Sequence, residues 1–147
     1  IEVLTIPAFG ALSDKLGRRP VYIFGAVFSA LMSFPLFLLL ATKSPQAAML
    51  AIVLGLAVGH AAMYGPQASF LSELFGTRVR YSGVSLGYNL ASVFAGALSP
   101  LIATWLMTRY APATWPISAY MIGLALITVV SVYFASETRS KMPAAVS

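Results

Sequence analysis

Four stretches of this 147-residue chain contain no Asp, Glu, Lys or Arg: residues 20–42, 44–72, 81–108 and 110–136. At 1.5 Å per helical residue, each is long enough to cross about 30 Å of hydrocarbon. Backbone surrounded by lipid must satisfy its own N–H and C=O groups, which leaves helices or closed barrels. A barrel strand runs about 10 residues and alternates polar with apolar, and these stretches do not alternate. The expected fold class is therefore an all-α membrane protein. Its spans fall at roughly 1–12 (partial), 20–42, 45–73, 81–108 and 115–136, followed by a tail at 137–147. Composition agrees: 59% of residues are hydrophobic and 9% charged, against about a quarter charged in a soluble domain.

The net charge of +5 raises nucleic acid as a partner, but topology accounts for it better. If successive spans alternate in direction, Lys15, Arg18, Arg19, Arg78, Arg80, Arg139 and Lys141 share one side, with Lys43 and Arg109 opposite. That bias predicts that the two charge-rich loops and the C-terminus are cytoplasmic. No interleaving of aromatic and basic residues suggests a nucleic-acid surface. The chain has no cysteine, which excludes disulfides and thiol chemistry. It shows no nucleophile–base constellation either, so an enzyme is not expected. Ile1 opens directly into an apolar segment, and no signal peptide is visible. The expectation is a C-terminal piece of a longer membrane protein, cut in mid-helix.

The spans differ in their polar faces. In the second, His60, Tyr64 and Gln67 recur at i, i+4 and i+7 and so share a face. In the third, Ser85, Tyr88, Asn89, Ser92 and Ser99 do the same. The first and last spans carry only scattered Ser and Thr, which can bond their own backbone. This places the outer two spans against lipid and the middle two around a polar path. Gly55 and Gly59, and the ridge Gly83, Gly87, Ala91 and Ala95, suit close helix contact. Gly65-Pro66, Pro35 and Pro100 are potential kinks.

His60 is the only histidine and reads as the only potentially charged group well inside a span. An imidazole ordinarily titrates near pH 6.5, within reach of a physiological proton gradient. Ionisable groups inside membranes mark pathways, so His60 is a candidate for proton coupling; a lone histidine makes no metal site. Tyr64, Gln67, Tyr88 and Asn89 are candidates for substrate hydrogen bonding, with interhelical bonding as the plainer alternative. At the loop ends, Asp14 precedes Arg18 and Arg19 by about one helical turn, and Glu73 precedes Arg80 by seven residues. Carboxylate–guanidinium bonds between helix ends could hold one conformation and break in another.

The stretch "GALSDKLGRRP", Gly10 to Pro20, resembles the loop signature of the major facilitator superfamily, G-x-x-x-D-[RK]-x-G-[RK]-[RK]. Gly10, Asp14, Lys15, Gly17, Arg18 and Arg19 match it position by position. Four full spans follow, which resembles the copy between helices 8 and 9. Glu73 with Arg80 is similar to the acid–arginine pair after helix 10, and Glu137-Thr138-Arg139 to the motif after helix 12. The longer stretch "HAAMYGPQASFLSELFGTRVRYSGVSLGYNLASVFAGALSP" resembles the metabolite:proton symporter family. The resemblance implies a partial C-terminal half of a twelve-helix fold, from the end of helix 8 to helix 12, in a plasma membrane (the bacterial inner membrane). It further implies proton-coupled symport of a small organic acid or zwitterionic osmolyte, with no cofactor beyond the proton as coupling ion. The partners implied are that substrate, membrane lipid and the missing N-terminal half. By the same resemblance Asp14, Lys15, Arg18, Arg19, Glu73 and Arg80 would form a cytoplasmic gate. Sugar porters and drug exporters share the loop signature but not the longer stretch. A non-transporting membrane sensor on the same fold is a further alternative.

Overall fold

The computed structural model describes residues 1–75 and 79–136, and over these the chain is helical almost throughout. Arg78 and the segment carrying Glu137, Arg139 and Lys141 lie outside the described residues. Five helices follow one another: α1 (Glu2–Leu16), α2 (Arg18–Ala41), α3 (Pro45–Leu74), α4 (Arg80–Tyr110) and α5 (Trp115–Phe134). The last four are each long and apolar enough to cross a membrane, and the chain is a multi-pass membrane protein.

The turns follow from local chemistry. Gly17 alone links α1 to α2, with φ 111° and ψ 153°, a conformation that strains any residue carrying a Cβ. At the α2–α3 turn, Pro45 occupies the first position of α3, where its missing N–H costs no bond. Ser44 precedes it but makes no side-chain cap; its hydroxyl donates to Gln46 Oε1 at 3.0 Å instead. At the α4–α5 turn, Trp105, Tyr110 and Trp115 gather with ring centroids 6.2–6.4 Å apart, as amphipathic rings do near a membrane interface.

None of the internal prolines breaks its helix. α3 and α4 each widen into a π-helical segment, Gly55–His60 and Phe94–Leu98, a few residues before Pro66 and directly before Ser99-Pro100. A proline lacks an N–H and crowds the carbonyl four residues earlier, and a wider turn nearby takes up that misfit.

Packing is uneven. α2 lies along α5, and α3 packs against both α1 and α2. Between α2 and α5 the buried Ser118 hydroxyl donates to Ser33 O at 3.2 Å, so one of the scattered serines joins two helices. Ser33 and Thr128 follow the plainer pattern and donate to carbonyls on their own helices. A Cβ on Gly25 of α2 would meet the Met63 nitrogen at 2.9 Å, and one on Gly59 would meet Ser29 Oγ at 2.6 Å. The closest approach to backbone atoms joins α1 to α3. A Cβ on Gly65 would fall 2.7 Å from Ile6 O and 2.8 Å from Gly10 N, so this crossing sets backbone on backbone. α4 differs: nothing in its most apolar window is buried, and it meets its neighbours only towards its two ends. Near one end Gly83 sits under the Phe75 ring; further along, Tyr120 of α5 donates to Ser99 Oγ at 3.1 Å. Gly87 and Gly96 face open space, so among the described residues no helix packs on the small-residue ridge at Gly87.

Candidate functional site

At one end of the bundle three helices converge on Arg18, the second residue after the end of α1. Its Nη2 donates to Glu73 Oε1 at 3.1 Å and its Nε reaches Glu73 Oε2 at 3.4 Å, a forked grip on the carboxylate of α3. Its Nη1 contacts Asp14 Oδ1 one turn back on α1 and donates to Ser13 Oγ at 2.7 Å. The buried Ser13 hydroxyl donates onward to Gly10 O at 2.7 Å. The Arg18 side chain is 6% exposed and that of Glu73 17%, whereas Asp14 stands 59% exposed. Glu73 is therefore the sequestered partner and Asp14 the outer one.

Arg19 turns elsewhere. Its Nε donates to Val132 O at 3.1 Å and its Nη2 to Tyr133 O, and its guanidinium lies 5.7 Å from the Tyr133 ring centroid. It thus satisfies the free carbonyls and negative dipole end of α5. Lys15, exposed in the last turn of α1, serves that helix end in the same sense. Arg80 does not join Glu73. It lines a groove of about 410 Å³ with Ser72, Tyr81, Ser85, Tyr88 and Asn89, and its Nε is buried without a hydrogen-bond partner among the described residues.

The polar faces higher in the bundle divide in two. His60 and Tyr64 stack at 5.3 Å on α3. Gln67 shares a second groove, of about 320 Å³, with Tyr88, Gly83, Gly87 and Ser131. Tyr88 borders both grooves, and so links Gln67 to the group around Arg80. Asn89 donates to Ser85 O at 2.8 Å on its own helix. His60 also borders a cavity of about 480 Å³ between α2, α3 and α5, where Ser29 and Thr128 are the other polar groups. Its remaining walls are apolar, so it offers little to a charged substrate.

Sequence reasoning missed two residues. Glu2 places Oε1 2.5 Å from His60 Nδ1, so His60 is not the only ionisable group away from the bundle ends. Glu2 had been absorbed into an apolar lead-in, yet Glu2, Ile6, Gly10 and Ser13 share one helical face, and that periodicity was the available signal. Ser13 falls at an unspecified position of the loop signature, so nothing in that pattern marks it.

Comparisons with known proteins give the family. A family model described as "Sugar (and other) transporter" matches residues 2–142. The chain belongs to that transporter family, within the major facilitator superfamily. Its similar relatives include the shikimate transporter of Escherichia coli strain K12, 32% identical over 95% of this chain and 32% of the relative. The inner membrane metabolite transport protein YhjE of the same strain is 33% identical over 91% of the chain and 30% of the relative. The glycine betaine/proline/ectoine/pipecolic acid transporter OusA of Dickeya dadantii is 33% identical over 92% of the chain and 26% of the relative. This transporter-family chain thus spans about a third or less of the length of these relatives, which are named as transporters and not as enzymes. No solved structure gives a significant match.

Proposed function

We propose that this chain is part of a proton-coupled symporter that carries a small organic acid or zwitterionic osmolyte across a bacterial plasma membrane by alternating access. The Arg18 end is the cytoplasmic side. The observation that carries the proposal is the clasp of Arg18 on Glu73 and Asp14, which ties α1, α2 and α3 together at one end. A sequestered ion pair returns in attraction roughly what it loses in hydration. If water enters and the ions separate, the lost attraction is replaced by hydration, so closed and open states can lie close in free energy. That near balance is what a gate needs.

Above the clasp, His60, Tyr64, Gln67, Tyr88 and Asn89 supply the polar groups of the path, and the His60 imidazole beside Glu2 supplies a group able to bind a proton. The rest of the binding surface belongs to parts of the protein beyond these residues. The relatives named for shikimate and for glycine betaine, proline, ectoine and pipecolic acid favour small metabolites over sugars or drugs. The test is uptake by the full-length protein in liposomes, offered shikimate, other carboxylates and betaines, with and without an inward pH gradient. Accumulation that requires the gradient supports symport. Uptake of a substrate indifferent to the gradient removes the proton from the mechanism, and uptake of sugars alone removes the substrate class.

A further inference from the structure

The geometry points to Glu2 and His60 together as the proton-binding site of the transporter, with its occupancy transmitted to the Arg18 clasp through the α1–α3 crossing. This rests on the proton-coupled symport proposed above and assigns it a site. The pair joins two different helices, at 2.5 Å between Glu2 Oε1 and His60 Nδ1. Along α1, Glu2 stands twelve residues from Asp14, and along α3, His60 stands thirteen from Glu73. At 1.5 Å per residue both lie about 18–20 Å from the clasp, near the middle of a hydrocarbon layer about 30 Å thick. With side chains 31% and 48% exposed, neither is sealed off by the helices described.

One proton held between a carboxylate and an imidazole leaves the pair neutral. Removing it leaves one negative charge at mid-depth, which hydrocarbon does not tolerate without water, a cation or movement of the helices. The surroundings leave that charge to the pair itself. Among the described residues the other titratable group close by is Tyr64, stacked on His60 from its own helix. The remaining ionisable groups of α1, Asp14 and Lys15, stand at its far end. α2 and α5 present Ala26, Ser29, Met32, Met121 and Thr128 beside His60, none of them titratable.

Transmission has a visible route. The Gly10–Gly65 crossing lies between the pair and the clasp on both helices, eight residues from Glu2 and five from His60. Any rigid tilt of α1 on α3 about that backbone contact displaces both ends at once. Gly10 O also accepts from Ser13, which accepts from Arg18, so the crossing is bonded to the clasp.

The experiment uses the full-length transporter in liposomes with radiolabelled shikimate or glycine betaine, whichever the wild type carries. Accumulation driven by a pH gradient is compared with exchange at equal substrate and equal pH, which needs no net proton movement. Glu2→Gln is expected to lower accumulation at least about ten-fold further than it lowers exchange, and to flatten the dependence of exchange on pH between about 5 and 8. Glu2→Asp should restore part of both, and His60→Gln should flatten the pH dependence likewise. Ser13→Cys, buried under the clasp, should react with a water-soluble maleimide at a pH-dependent rate. Divided by the rate of a fully exposed cysteine at the same pH, to remove thiol ionisation, that rate should still depend on pH, and the residual dependence should be lost when combined with Glu2→Gln. Accumulation by Glu2→Gln at the wild-type level and pH profile would overturn the site. So would equal loss of accumulation and exchange in Glu2→Gln and Glu2→Asp alike, which marks a positioning role. A wild type indifferent to the pH gradient instead overturns the symport reading itself, a result distinct from either.

Discussion

α3 and α4 are nearly equal in length, 30 and 31 residues, and each carries a polar face and a π-helical segment near its middle. Their surroundings differ. More than a quarter of the most apolar window of α3 is buried, against none of that of α4. The polar groups of α3 find partners on other helices: Glu73 meets Arg18, and His60 meets Glu2. Those of α4, apart from Ser99 with its Tyr120 partner, bond within their own helix or line open grooves, as Asn89 and Arg80 do. Amphipathicity alone therefore does not say what a face is for. On α3 it helps hold the bundle together, whereas on α4 most of it is left exposed among the described residues.

The sharpest way to break this contrast is to strip α3 of its partner. Arg18→Ala removes the forked grip on the Glu73 carboxylate, and should cost about 2–3 kcal/mol. The check is thermal unfolding of the full-length protein in detergent, where an unchanged midpoint would show that the clasp contributes nothing to stability. Gly65→Ala comes next. Its Cβ must push away backbone at 2.7–2.8 Å, so a loss of about 1–3 kcal/mol is expected, in the same measurement.

Asp14→Asn should change stability by less than about 1 kcal/mol, because Asp14 is mostly exposed. Uptake in liposomes should nevertheless be abolished while substrate binding is largely kept, and normal uptake would remove Asp14 from the gate. The smallest effect belongs to α4. Gly87→Ala meets nothing within 4 Å and should stabilise by up to about 1 kcal/mol through helix propensity. A loss instead would show that another part of the full-length protein packs on that face, and would turn α4 into a second α3.

Much of this was legible in the residues, and the rest was hidden for identifiable reasons. The spans were readable because charge is excluded from hydrocarbon over a fixed thickness, and helix bounds fall where charges resume. The Asp14–Arg18 pairing was suggested by their spacing, although α1 ends between them and the turn at Gly17, not one continuous helix, brings them together. Glu73 was legible as a helix-end acid, but its partner was not. Arg18 and Arg80 are equivalent by type, and only the placement of α2 beside α3 selects between them. Arg19 looked like a second gate residue because sequence shows a cation but not the helix end that receives it. Glu2 and His60 are 58 positions apart, so nothing local announces their contact; it depends on how α1 crosses α3.

The one-residue link at Gly17 sets a phase as well as a turn. Successive helical residues differ by about 100° in direction, and α2 begins at once with Arg18 and Arg19. The two guanidiniums accordingly diverge, one to α3 and the other to the end of α5. Inserting a single residue after Gly17 would rotate α2 by about that angle relative to α1, and both bearings would be lost together. The loop signature is thus a spacing constraint as much as a list of charges, and its length should tolerate change less well than several of its side chains.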